Sequence, residues 1–192
     1  PQAVDTITLK ITQSGELDVN GSVDYANLSL YIPQEGVQSI NVFSNRDSKW
    51  DYAIDRFGNK IVVIGWKNPA GVVTYSLEIV VKNVAKSVNP TIGIGSDTQY
   101  LASTNSIVFT DAIRKSAYPY KRTWENVARL TEFVYDYVDY DISLVGARHS
   151  SDWVYENKRG VCVEHANLLT AMLRSSGIPT RYVVGYAYSS VD

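Results

Sequence analysis

The sequence predicts an α+β protein of two domains, an N-terminal antiparallel β-sandwich followed by a helix-led α+β half. Three observations predict it. From residue 4 to about residue 82 apolar side chains alternate with period two or run in short β-branched blocks. Residues that end regular structure, including Asn89, Pro90, Gly93, Gly95 and Asp97, then collect in one stretch. Beyond it the apolar spacing turns to three and four, the helical period. The expected boundaries are a sandwich at 1–88, a linker at 89–99 and the α+β half at 100–192.

Each β element carries its own signature. Ile7, Leu9 and Ile11 alternate with polar residues, the pattern of a half-buried strand. Leu28, Leu30 and Ile32 repeat it and stop at Pro33, which cannot donate to a ladder. Stretches 39–43 and 50–54 come next, then the apolar block 61–66, and 72–81 closes the set. Gly58-Asn59 suits the hairpin before residue 61. Short strands at this spacing fold most naturally as a sandwich.

In the second half Trp124, Val127, Ala128, Thr131, Val134, Tyr137 and Val138 form a helical stripe, with Thr123 as N-cap and Glu125 in the first turn. A shorter helix is expected over 105–115, and one or two turns over 151–157 capped by Ser151. In the next helix Cys162, His165, Ala166, Leu169, Met172, Leu173 and Ser176 share a stripe expected to be buried. Glu164, Asn167, Thr170 and Arg174 face elsewhere. Gly177 sits where a left-handed cap belongs, Pro179 stops the helix, and 181–188 reads as a strand.

Composition excludes several function classes. Of 192 residues 45% are apolar and 20% charged, with a net charge of −2, which is not the make-up of a disordered chain. Lys and Arg total 18 against 20 Asp and Glu, so no basic surface calls for nucleic acid. No stretch approaches the ~20 apolar residues of a membrane span. A lone cysteine, Cys162, excludes an internal disulfide framework and a multi-cysteine metal knuckle. With only His149 and His165 besides, no metal site and no cofactor are expected. The chain opens on Pro1, so upstream residues removed or left out are expected. Asn20 and Asn27 match the glycosylation tripeptide, and a secreted or cell-surface setting is slightly favoured over a cytoplasmic one.

The chemistry concentrates at Cys162. A thiol in the first turn of a helix meets unpaired N–H groups and the positive end of the helix dipole, which favour thiolate. Those N–H groups can also donate to an oxyanion formed on an attacked carbonyl. Lys158 and Arg159 would add to the effect if they fold back toward the sulfur, and Gly160 would let a substrate backbone approach. The same pattern also fits a packed structural cysteine.

The run Gly160-Val161-Cys162, the helix opening Glu164-His165-Ala166-Asn167-Leu168-Leu169 and the stretch Gly177-Ile178-Pro179-Thr180-Arg181-Tyr182-Val183-Val184-Gly185-Tyr186 resemble the transglutaminase-like superfamily core. So does the approach through Val138-Asp139-Tyr140-Asp141 and Ser151-Asp152-Trp153-Val154. The resemblance covers roughly 100–192. More weakly, the β half resembles the region preceding such cores in prokaryotic members, through Leu30-Tyr31-Ile32-Pro33 and Asp55-Arg56-Phe57-Gly58-Asn59. It implies a partial transglutaminase-like, papain-like α+β core in which Cys162 is the nucleophile of a Cys–His–Asp triad. That nucleophile attacks a peptide or glutamine side-chain amide through a thioester, so a protein or peptide substrate is implied.

The family's histidine and aspartate lie on strands downstream of the cysteine helix, and no residue here matches either. His165 is expected as a buried, hydrogen-bonded histidine rather than the base, and His149 as a loop residue. The chain is therefore expected to be a fragment whose core a further C-terminal segment completes, with an exposed edge near 182–188 and little turnover of its own. Trp124, Tyr140 and Trp153 are candidates for shaping a substrate groove, and Arg181 for pairing with Glu164 or Asp152. The rival class is a non-catalytic surface, adhesion or protein-binding module presenting some of the 14 tyrosines and four tryptophans.

Overall fold

The computed structural model describes residues 6–84 and 94–185. The chain divides into two compact units, 1–87 and 88–192. The fold class is α+β: antiparallel sheets come first, then a region of helices with a short parallel pair.

In the first unit β1 (Thr6–Val19), β2 (Tyr25–Tyr31), β3 (Val37–Ser44), β4 (Ser48–Ile54), β5 (Lys60–Lys67) and β6 (Gly71–Val84) form two three-stranded sheets, ordered β1-β6-β3 and β2-β5-β4. All pairings are antiparallel, and β1 and β6 pair along their whole length, from Thr6 opposite Val84 to Val19 opposite Gly71. Alternation sets which face each strand buries. Val62, Ile64 and Trp66 of β5 meet Val73, Leu77, Ile79 and Val81 of β6 in the core. The Trp66 indole donates to Ser44 Oγ at 3.0 Å and that hydroxyl donates to Thr74 O at 2.8 Å, a polar bond linking the two sheets. β1 runs well beyond the alternating triplet that announces it. Its polar continuation, 13–19, is held by pairing with β6.

Aromatics do not simply fill cores here. Trp66 is buried, whereas Tyr25, Tyr31, Phe43, Trp50 and Tyr52 of the same unit are exposed.

The second unit comprises α1 (Asp111–Ser116), α2 (Trp124–Tyr137), β7 (Asp139–Tyr140), α3 (Ser151–Asn157), β8 (Arg159–Gly160) and α4 (Cys162–Ser175). Its core joins Ile113, Leu130, Val134, Val138, Val154, Leu168, Ala171 and Met172. Thr123 caps α2 by accepting the Asn126 N–H at 3.2 Å, as its sequence predicts. The helix expected over 105–115 is shorter and later, because Thr110 accepts the Ile113 N–H and starts α1 there. Ser150, not Ser151, is the N-cap of α3. Ser151 is buried, and its hydroxyl joins both the N–H and the C=O of Val108.

The first part of the expected linker, through residue 93, lies outside the described residues. The stretch from residue 94 on is body rather than linker: Ile94 packs on the second core and Gly95 O accepts from Arg122 at 2.6 Å. Gly177 ends α4 with φ 79° as expected. The strand expected over 181–188 is not formed at 181–185, where no ladder partner holds it, and 186–188 lie outside the described residues. Val183 and Val184 are exposed.

The turn after β4 is organised by Asp55. Its carboxylate accepts from the N–H groups of Phe57 and Asn59 at 2.8 Å each and from the Asn59 side-chain amide at 2.8 Å. The Asn59 amide above all, with those N–H groups and the Tyr31 hydroxyl, outweighs slight desolvation and holds the Asp55 carboxyl below its usual range. A carboxyl lowered on folding stabilises fully above its unfolded pKa, about 3.9, and loses that effect as pH falls through the folded value. Asp55→Ala should therefore lower the thermal midpoint at pH 7, and the gap from wild type should narrow when both are melted near pH 2.5.

Candidate active site

Cys162 stands where four elements meet. α2 gives way at Val138 to β7, and α3 gives way at the left-handed Lys158 (φ 53°) to β8. The two short strands run parallel, with Asp139 N–H donating to Lys158 O at 2.8 Å and Asp141 N–H to Gly160 O at 3.0 Å. This pairing fixes the chain two residues before α4 begins. Val161 occupies the N-cap and has no side-chain oxygen, so the first-turn N–H groups of Cys162, Val163 and Glu164 have no acceptor within the helix. The thiol of Cys162 is free and exposed.

The buried side of α4 keeps Met172, Leu173 and Ser176 of the stripe the sequence suggests, but it is rotated at the start of the helix. Glu164, Asn167, Leu168, Thr170, Ala171, Met172 and Leu173 are buried, whereas Cys162 faces solvent. Polarity misled because these polar groups are spent on backbone. Glu164 Oε2 accepts the Val161 N–H at 3.1 Å and Oε1 the His149 N–H at 3.0 Å. Asn167 donates to His149 O at 2.8 Å, and together the two side chains hold the loop at His149 against the first turn.

Gly160 serves this arrangement rather than an incoming substrate backbone. It is buried, and a Cβ built on it would lie 2.1 Å from Glu164 Cβ. Lys158 and Arg159 also turn to other partners. Lys158 Nζ lies 4.9 Å from the centre of the Tyr137 ring, and Arg159 pairs with Asp141 at 3.4 Å.

His165 is part-buried and hydrogen-bonded, as expected from its place on the helix. Its Nδ1 lies 2.9 Å from Val161 O and its Nε2 3.0 Å from Val138 O, so both ring nitrogens face carbonyl oxygens. His149 stacks on Trp153 with ring centroids 3.7 Å apart and planes 14° apart.

Of the groove candidates, Tyr140 is exposed, pairs in register with Gly160 and has its ring 5.9 Å from that of His165. Trp153 is half-buried beneath His149, with the Arg159 guanidinium 5.9 Å from its ring. Trp124 does not belong to the group. The end of α2 meets the start of α4 through Val138, and Arg129 and Ser176 both donate to Ala117 O at the other end of the pair. With Trp124 opening α2 and ~1.5 Å of rise per residue, it stands about 20 Å from the end of α2 that meets the start of α4. Sequence reasoning missed Tyr182 and Arg148. Burial first, then the negative charges of Cys162 and Glu164, push the Tyr182 phenol up, with Arg148 opposing. It also missed Glu164, although a glutamate at the third helical position is a known capping signal.

Residues 109–192 match the family model of the transglutaminase-like superfamily. The fold is similar to that of a protein from Cytophaga hutchinsonii whose crystal structure is described as that of a proposed cysteine protease, with a TM-score of 0.63 and 15% identity. The likeness covers 91% of this chain and 67% of that one. None of the curated proteins compared with the chain matches it.

The site's geometry has two measurable outcomes. Gly160→Ala should destabilise by about 1–3 kcal/mol through overpacking on Glu164. Urea denaturation should show that loss, and no comparable one for Gly95→Ala, where an added Cβ meets nothing within 4 Å. Cys162→Ala should lower the ionisation midpoint of Tyr182, because a neighbouring negative charge is removed. Ultraviolet difference titration, with Tyr182→Phe variants as blanks, reads that shift.

Proposed function

We propose, from the match of residues 109–192 to the family model of the transglutaminase-like superfamily, that Cys162 is the nucleophile of a cysteine enzyme acting on amide bonds of proteins or peptides. The observation that carries the reading is an exposed thiol at the uncapped first turn of a helix whose other face is buried. In this reading Sγ attacks the amide carbonyl carbon and the first-turn N–H groups receive the charge that develops on oxygen. Collapse of the adduct expels the amine, which takes up a proton, and leaves a thioester. Water then hydrolyses the thioester, as in a peptidase or amidase. An amine would instead give transfer, as in a transglutaminase. Hydrolysis is the simpler outcome because it requires no second bound substrate.

The imidazole that activates the thiol and the carboxylate that orients it come, in this reading, from sequence beyond residue 192, where the family carries them. His165 is unsuited to the part, since both of its ring nitrogens face backbone carbonyls. This polypeptide alone then carries a reactive thiol with little turnover. A second reading, a non-catalytic binding module, draws on the exposed Tyr25, Tyr31, Phe43, Trp50 and Tyr52 of the sandwich.

Iodoacetamide separates the two. Native protein should be alkylated at Cys162 at least about tenfold faster than free cysteine at pH 7, a mass shift absent from Cys162→Ala. Alkylation no faster than free cysteine, or only after denaturation, favours the binding module.

A further inference from the structure

We propose that His165 is a positioning residue for Cys162 and acts through the peptide that joins Val161 to Cys162, a role that rests on the acyl-transfer reading above. Three groups hold that region. The Val161 carbonyl accepts the His165 backbone N–H at 3.1 Å and faces imidazole Nδ1 at 2.9 Å, while Glu164 holds the Val161 N–H at 3.1 Å. On the far side of the ring, Nε2 faces Val138 O at 3.0 Å, the C-cap of α2 just before β7. The imidazole therefore ties the end of α2 to the start of α4.

The planarity of the peptide carries the consequence. In a trans peptide the C=O and the following N–H point in opposite directions. Holding Val161 O toward His165 turns the Cys162 N–H away from the ring, toward the open end of α4. That N–H belongs to the nucleophile's own residue and is the donor best placed for an oxyanion on an acyl group bound to Sγ. A carbonyl oxygen only accepts, so each ring nitrogen must donate to be bonded. The ring presents one nitrogen to each carbonyl, and its N–H protons are the donors that close the clasp.

The clasp predicts unequal effects on two reactions of one thiol. With p-nitrophenyl acetate, Sγ attacks the ester carbonyl, passes through an oxyanion and expels nitrophenolate, leaving an acetyl thioester without a proton donor for the leaving group. With iodoacetamide, Sγ displaces iodide and no oxyanion forms. His165→Ala should slow acylation about tenfold or more while changing alkylation less than about twofold, and His165→Gln, which keeps one donor, should fall between. Leu169→Ala on the same helix, melted alongside, controls for lost stability and should leave the ratio of the two rates at the wild-type value. In the wild type, imidazole N–H protons of His165 should be visible by NMR and exchange slowly with water. An unchanged rate ratio in His165→Ala and His165→Gln, or ring protons that exchange freely, overturns the clasp. If wild type is acylated no faster than Cys162→Ala, the acyl-transfer reading fails instead, and the NMR result still decides whether the clasp exists.

Discussion

The second unit depends on a carboxylate taken out of water. Burying an ionised or polar group without partners costs several kcal/mol, so a buried glutamate survives only where donors replace the solvent. Glu164 obtains them from two backbone N–H groups, one at the N-cap of its own helix and one in the loop before α3. Meeting both requires the chain to pass close over the side chain, and only a residue without Cβ can do so at position 160. The loop at His149, the approach through β8 and the start of α4 are thereby fixed by one side chain. The exposed position of Cys162 is a consequence, because the inward face of the first turn is already occupied.

The two histidines illustrate how architecture assigns roles that residue type leaves open. One is drawn flat against Trp153 while its backbone is held by Glu164 and Asn167. The other spans two helix ends with its ring nitrogens. Both imidazoles are thus part of the framework around the thiol. The absence of a side-chain cap at Val161 has the opposite character: it leaves donors unspent at the helix start that bears the exposed thiol, at a cost of about 1 kcal/mol relative to a capped helix.

Period and punctuation were legible over most of the chain. The block 61–66 and the stripe of α2 each locate an element to within a few residues, and the alternation of Ile7, Leu9 and Ile11 locates the first half of β1. Less legible was whatever depends on partners distant in sequence. The polar residues 13–19 are strand because β6 lies beside them, and Ser151 is interior because Val108 meets its hydroxyl. The orientation of α4 was misread for the same reason. Glu164 and Asn167 look like a solvated face until the backbone groups that satisfy them are in place. The site residue that local pattern located was the cysteine itself. Tyr182 and Arg148 come near it only through the fold, and Trp124 is carried away by the length of its helix.

The two-residue parallel ladder between β7 and β8 does more than aim the chain at α4. It brings Asp139–Tyr140 and Arg159–Gly160 together as the base of a closed excursion, with the stretch between them looping out and returning. Within that excursion the loop around His149 is fastened to α4, but the 3₁₀ turn Ile142–Leu144 and the glycine at 146 lie on the outer, largely exposed arc. Length and chemistry along that arc are consequently uncoupled from the placement of the sulfur. Substitutions or insertions there can change the surface this unit presents while leaving the thiol where it is.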